Sequence, residues 1–481
     1  MQSNASSFQI NKKSLIKAAI IVFALIVFSY CLTLFVAPGS YERVEDGYGK
    51  SAVVPGSYTQ TAQPGQYPVY NILFSIIKAF APAGSPNITM ISIMLFILLI
   101  GGAFTLLDKS GILRAVIAKI AAKMYHKKYL LIAVISFVFM FLGSFFGILE
   151  EIIPLVPLAV GLAFMLGWDS LMGLGISLLS AGFGFAAALY NPFSIGIAQS
   201  LAGVPLYSGT LLRLFFFIAV YAVLLVFLIC YARKLDKNPM ASSVYDADTA
   251  RREKYRLFPE QIKQAAQFKK APILLTGILM ALMFAYLVSA SFLGVADYSM
   301  IVIAVIFIIA STTGAALAGY KGIMRTFFRG IADIAPGILL IPMAMAVSTI
   351  ISDSGIQDTL LYAASSAVSG SSPFINVLII YAAVLVLEFF VSQASAKAFL
   401  IMPLIVPLAA MTGVSGQTSV FAYALGDGFL NVLYPTNPLL LIALGLTTVS
   451  YPKWFKFTIG IQLVIMVLSV GFLMIAVAIG Y

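Results

Sequence analysis

The chain has 481 residues, 61% hydrophobic and 10% charged, with a mean hydropathy of +1.02, which excludes a soluble globular fold and predicts an all-α polytopic membrane protein. The formal net charge of +11 does not signal a nucleic-acid partner, because Lys and Arg gather at the ends of apolar runs: with the amino terminus cytoplasmic, only Arg43, Lys50 and Lys78 fall outside, and Arg213 and Lys397 lie within apolar runs. Cys31 and Cys230 sit in apolar runs and the one histidine, His126, in a basic stretch, so no disulfide framework, metal site or cofactor is expected.

Ala18 to Val36 reads as an uncleaved first span leading outward, since no small-residue cleavage site follows it. Ala37 to Pro68 is an external loop, Tyr70 to Ala81 a helix too short to span, and Thr89 to Leu107 a return inward. Ile112 to Lys128, with Arg114, Lys119 and Lys123, is expected along the inner interface as a basic amphipathic helix.

Residues 129–168 follow as a re-entrant hairpin. Between Lys128 and Asp169 the only charges are Glu150 and Glu151, in GSFFGILEEIIPLVP, and an ionisable side chain at bilayer depth costs about 2.5–3.5 kcal/mol on insertion scales. Two ordinary spanning helices with both acids in a solvated loop are the plainer alternative. Against it, the return arm Ile152 to Gly167 would reach only about 24 Å at 1.5 Å per residue, short of a hydrocarbon core of about 30 Å. Pro154 suits the first turn of a helix restarting after an unwound tip.

Leu171 to Leu201 crosses outward and is broken at Asn191-Pro192, where the proline removes a donor and frees carbonyls. Leu211 to Tyr231 returns. Arg233 to Lys270, with twice as many basic as acidic residues, reads as a solvated cytoplasmic linker. Pro272 to Leu293 crosses outward and Ser299 to Tyr320 inward; Lys321 to Asp333 is a basic interfacial stretch, and Pro336 to Ile351 leads out again. A second hairpin, residues 372–412, has its tip at Ser392 to Lys397 and a short return arm to Met411. Residues 419–447 cross inward, broken at Pro435-Thr436-Asn437-Pro438, and Phe455 to Gly480 ends outside.

This order contains a repeat. Gly111 and Gly355, each in Ser-Gly-Ile, Asn191 and Asn437, each in Asn-Pro, and Pro154 and Pro403 stand 244, 246 and 249 residues apart. One linking span (272–293) after the linker 233–271 places the second half (294–481) upside down relative to the first (1–232). That is the inverted-repeat plan of secondary transporters, with a midplane site at broken helices. Freed amides there can hold a carboxylate and freed carbonyls a cation.

The candidate substrate-binding residues are Glu150, Glu151, Asn191, Pro192, Ser392, Ser395, Lys397, Thr436 and Asn437. A zwitterion with a cationic side chain fits them, its carboxylate toward Lys397, Ser392 or Ser395 and its cation toward the glutamates. The alternative for Lys397 is an internal salt bridge to a glutamate. Asp427, in Gly-Asp-Gly, and Glu388 are coupling or proton-binding candidates, with helix packing as the alternative for Asp427. An aspartyl membrane protease would need a second intramembrane aspartate facing Asp427, and a channel would need a charged or carbonyl ring; neither pattern is present, so no enzymatic activity is expected.

The pattern GSFFGILEEIIPLVPLAVGLAFMLGWDSL, the Asn191-Pro192 break and LGDGFLNVLYPTNP resemble the YfcC-type carriers, grouped with C4-dicarboxylate anaerobic carriers and basic amino acid antiporters in the ion transporter superfamily. The resemblance runs from about Gly101 to Phe457. It implies homodimers in a bacterial-type cell membrane, moving a small-molecule substrate by an elevator-type displacement. The chain departs from related sodium-driven carriers, which have Ser-Asn-Thr at the hairpin tips, and Lys397 is placed to replace a bound sodium ion. The expected function is therefore sodium-independent antiport of basic amino acids of the arginine and ornithine kind, the alternative being a C4-dicarboxylate or other carboxylate carrier.

Overall fold

The computed structural model describes residues 12–45, 51–78, 85–113, 115, 116, 119, 125–255, 268–293, 299–368, 372–391 and 394–481. About half of the predicted basic amphipathic helix Ile112 to Lys128, including Arg114 and Lys123, and the tip residue Ser392 lie outside them. The helices of the first half are α1 (Lys12–Phe35), α2 (Asn71–Lys78), α3 (Ser85–Lys109), α4 (Lys128–Phe146), α5 (Val156–Met165), α6 (Ser170–Leu174), α7 (Ser180–Ala186), α8 (Ile197–Leu201) and α9 (Thr210–Lys237). Then come α10 (Tyr245–Tyr255), α11 (Lys270–Leu293), α12 (Ser299–Leu317), α13 (Ile323–Ile338), α14 (Leu340–Asp353), α15 (Ile356–Val368), α16 (Pro373–Phe390), α17 (Ala394–Met411), α18 (Gly416–Gly428), α19 (Pro438–Gly445) and α20 (Tyr451–Ala478). The external segment holds two small antiparallel ribbons, Gly39–Ser40 with Thr59–Gln60 and Arg43–Glu45 with Ser51–Val53. Arg43 fastens it to Asp358 on α15 by a two-pronged ion pair of 2.7 and 2.9 Å.

Among the described residues, five helical stretches are long and apolar enough to cross a membrane: Lys128–Phe146, Thr210–Lys237, Ile323–Asp353, Pro373–Phe390 and Tyr451–Ala478. Their outer faces carry exposed large apolar side chains, among them Leu211, Phe215, Val226, Leu463 and Val467. In water such faces would be a liability; against lipid they are what a span presents.

Both ends of the segment from α4 to α5 meet at one carboxylate. Asp236, near the end of α9, accepts from Lys128 Nζ at 2.6 Å and from Trp168 Nε1 at 3.0 Å, so the chain goes out along α4 and comes back along α5. The outward arm ends at Gly147, whose φ of +66° is left-handed and favours glycine. Gly143 and Gly184 let α4 and α7 close on each other: a Cβ at Gly143 would stand 2.3 Å from Ala181 O, and one at Gly184 1.9 Å from Met140 O. In the second half a Cβ on Gly413 would lie 3.4 Å from Pro373, so the feet of α16 and α17 are also adjacent.

The structure corrects several expectations. Glu150 and Glu151 open a 3-10 segment, Glu150–Leu155, that contains Pro154; the proline in the first turn of α5 is Pro157. The return arm α17 has 18 residues, and Lys397 lies in its first turn rather than in an unwound tip. The first broken helix loses regularity from Ala187, four residues before the proline's neighbour Asn191, because the amides of Leu189 and Tyr190 turn aside to Ser144 O at 3.0 and 3.2 Å. The interfacial stretch and the following span divide after Ile338 instead of before Pro336.

The linker is not simply solvated either. α9 runs into it as far as Lys237, and α10 presses Asp248 into the protein body, fully buried. There Asp248 accepts from Ser170 N (2.9 Å), Ser170 Oγ (2.8 Å) and Thr448 Oγ1, while Arg251 donates to Leu446 O at 3.1 Å. One short helix thus ties the start of α6 to the end of α19. Its overall polarity gave no sign of this, because a single buried acid is invisible in a charge count.

Candidate substrate and coupling site

Each half contributes a broken helix and a hairpin, and they pack reciprocally. α4 lies against α7 and α16 against α18, while the 3-10 segment Glu150–Leu155 contacts α19 and α17 contacts the helical run 192–201. The breaks and hairpins of the two halves therefore face one another.

The two breaks use the same local chemistry. Asn191 and Asn437 are N-caps followed by proline at the first helical position, where a missing N–H costs nothing. Asn191 Oδ1 accepts from Phe193 N at 2.9 Å and Ser194 N at 3.3 Å; Asn437 Oδ1 accepts from Leu439 N at 3.0 Å. Beyond the cap they differ. Asn437 Nδ2 donates to Asn431 Oδ1 at 2.6 Å, and Asn431 Nδ2 donates to the Asp427 carbonyl at 2.9 Å. Among the described residues Asn191 Nδ2 has no partner, nor have Ser194 Oγ and Thr436 Oγ1.

Next to the second break is a cluster of three charges. Lys397 Nζ stands 2.7 Å from Asp427 Oδ1 and also contacts Glu388; Lys397 and Asp427 are fully buried and Glu388 is 1% exposed. Tyr423, on α18 with Asp427, donates its hydroxyl to Ala394 O at 2.5 Å and so pins the start of the helix that carries Lys397.

The structure thus brings together three of the sequence-predicted residues, Glu388, Lys397 and Asp427, and holds both asparagines at their breaks. Glu151 lies half-buried in the 3-10 segment that contacts α19. The side chains of Glu150, Pro192 and Ser395 lie outside what is described, as does Ser392. Sequence reasoning missed Asn431, Ser194, Ser144 and Arg213. Asn431 could have been found as the one amide lying between Gly-Asp-Gly and Pro-Thr-Asn-Pro. Arg213 was noted only as a charge in an apolar run; its 1% exposure and its bond to Leu189 O at 3.2 Å place it at the first break.

Several apolar helices around a buried, charged and polar centre define a multi-pass membrane transporter. The chain belongs to the C4-dicarboxylate anaerobic carrier family (DcuC), which it matches over residues 16–478. It is 29% identical over 383 residues, covering 78% of this chain and 75% of the relative, to the Escherichia coli (strain K12) protein YfcC, which carries the provisional name of a basic amino acid antiporter. A Haemophilus influenzae protein of unassigned function is 25% identical over 419 residues, 85% of this chain and 78% of that protein. Among solved structures, the YdaH transporter of Alcanivorax borkumensis aligns over 97% of this chain and 99% of its own with TM-score 0.40 and 15% identity. MtrF of Neisseria gonorrhoeae, described as an antimetabolite efflux pump, aligns over 95% and 94% with TM-score 0.39 and 15% identity.

Proposed function

We propose that this protein is a secondary active antiporter for basic amino acids of the arginine and ornithine kind, working by alternating access of an elevator type. The observation that carries the reading is the Lys397 cluster. One ammonium facing two carboxylates leaves one negative charge uncompensated where water is excluded, and an unpaired buried charge is expensive. A cationic substrate group supplies the missing charge, and a proton can replace it after release. Lys397 then occupies the place of a bound coupling ion, which makes exchange independent of sodium. Glu151, half-buried in the 3-10 segment that contacts α19, adds a further acid from the facing side.

The reciprocal packing of hairpins and breaks supports two inverted repeats, residues 1–232 and 294–481, with the hairpins and broken helices moving against the remaining helices in a homodimer. The amino terminus is assigned to the cytoplasm from the distribution of Lys and Arg. A C4-dicarboxylate substrate is the second reading. The family's description and the unpartnered donors at the first break favour it.

Proteoliposomes loaded with ornithine and offered labelled arginine test the proposal, with succinate-loaded vesicles and labelled succinate alongside, each with sodium and with choline in its place. Arginine entry only against internal ornithine, at equal rates in both salts, is expected. Succinate exchange without arginine exchange, or a strict need for sodium, would overturn it.

A further inference from the structure

We propose that the first helix break is a carboxylate subsite, with Asn191 and Ser194 as its contacting donors and Arg213 as the fixed positive charge beside them. Residues 192–201 form one uninterrupted helical run of ten residues, π over Pro192–Gly196 and α over Ile197–Leu201, with Asn191 as N-cap. Because Asn191 Oδ1 accepts from two backbone amides, the orientation of the side-chain amide is fixed; flipped, its NH2 would face two N–H donors. Nδ2 is therefore directed away from the cap. It is buried and without a partner, on a residue 0% exposed. Ser194 Oγ, on a residue 1% exposed in the first turn, is likewise without one. Buried donors left unmade are costly, and a ligand with two acceptor oxygens removes the cost at both.

Arg213 supplies the charge. Its Nη2 donates to Leu189 O (3.2 Å) and Thr210 Oγ1 (3.3 Å), its Nη1 to Ser208 O (2.8 Å) and Tyr481 Oη (3.1 Å), and its Nε has no partner among the described residues. All of these partners are neutral. A buried guanidinium bound to Leu189 O with no counter-anion among the described residues, a helix N-terminus and two unpartnered donors on Asn191 and Ser194 each favour negative charge near this break. The fixed ammonium of Lys397, by contrast, is already held by two acids. The subsite thus takes the carboxylate that the sequence reading directed to Lys397.

This inference rests on the proposed function only for the cationic end of the substrate, and the test separates the two. The full-length protein in detergent is heated with L-arginine, with agmatine, which has the same cation and no carboxylate, and with succinate. Asn191→Asp keeps a capping acceptor while exchanging the donor for a negative charge; Ser194→Ala removes only the unpartnered hydroxyl. L-arginine is expected to stabilise the wild type more than agmatine does. Asn191→Asp should lose the L-arginine shift and keep the agmatine response, and Ser194→Ala should weaken L-arginine about tenfold. If succinate alone stabilises the wild type and Asn191→Asp abolishes that shift, the subsite stands and the basic-substrate reading falls. Equal stabilisation by L-arginine and agmatine, an undiminished carboxylate shift in both variants, or no stabilisation by either carboxylate overturns the subsite. Should Asn191→Asp fail to fold, Ser194→Ala decides.

Discussion

At the first break the Asn191 amide nitrogen has no hydrogen-bond partner among the described residues, whereas at the second the same atom of Asn437 is engaged by Asn431, which in turn holds the backbone of Asp427. The sequence explains the difference. At the offset of 246 residues that relates Asn191 to Asn437, Asn431 corresponds to Phe185, Asp427 to Ala181 and Lys397 to Glu151. Asn-Pro builds the same cap in both halves, because capping is local. What surrounds the cap is set by side chains six to forty positions away: Asn431 and Asp427 stand opposite the apolar Phe185 and Ala181, and Lys397 opposite the oppositely charged Glu151. The two breaks share a cap and differ in the side chains around it.

The largest effect that would break this contrast is expected from Lys397→Ala. It leaves Glu388 and Asp427 buried without a counter-ion, and breaking a buried pair from one side costs about 3–5 kcal/mol. Thermal unfolding should drop accordingly, and residual exchange should become dependent on an added monovalent cation. An unchanged unfolding temperature would show that water reaches both acids.

Asn431→Ala should convert the second break toward the first. It frees Asn437 Nδ2 and should cost about 1–3 kcal/mol, the penalty of an unmade buried donor. Chemical denaturation of the variant beside the wild type measures it, and a neutral result would mean that Asn437 finds another partner.

Gly147→Ala acts on the first break from the hairpin tip. The left-handed φ of +66° alone costs an L-residue about 1–2 kcal/mol, and the new Cβ would stand 2.3 Å from Asn191 Oδ1. Uptake of carboxylate-bearing probes should fall more than that of agmatine; equal losses would mean a general folding defect.

The smallest effect lies away from both breaks. Burial pushes the Asp248 carboxyl up, and its hydrogen bonds with Thr448 and Ser170 offset this only in part. A carboxyl whose pKa is raised on folding stabilises most below its unfolded value, and that contribution is lost as pH rises through the folded value. Asp248→Asn should flatten this slope in a pH series of unfolding temperatures and change neutral-pH stability by only about 1 kcal/mol, since the Ser170 and Thr448 hydroxyls can turn to accept from the new amide. An undiminished slope would assign it to another group.

Much of this was legible in the chain itself. The two Asn-Pro pairs were enough to point to the helix starts capped by Asn191 and Asn437, because helix termination is local chemistry. The pairing of Lys397 with Asp427 was not readable, since each had several candidates of opposite sign and only tertiary packing chooses between them. Arg213 was hidden for the same reason: its partners Leu189, Ser208 and Tyr481 come from three different parts of the chain. The burial of Asp248 depends on α10 folding back onto α6 and α19, which no periodicity in a polar linker announces.

The most direct measurement is competition for labelled arginine uptake into ornithine-loaded vesicles by the wild-type protein, with unlabelled arginine, agmatine and succinate as competitors. If one break takes the carboxylate and the other the cation, arginine should compete strongly, and agmatine and succinate, each carrying half of the recognised charge, only at far higher concentration. Competition by agmatine as strong as that by arginine would contradict the account, because it would leave the donors at Asn191 and Ser194 with no part in recognition.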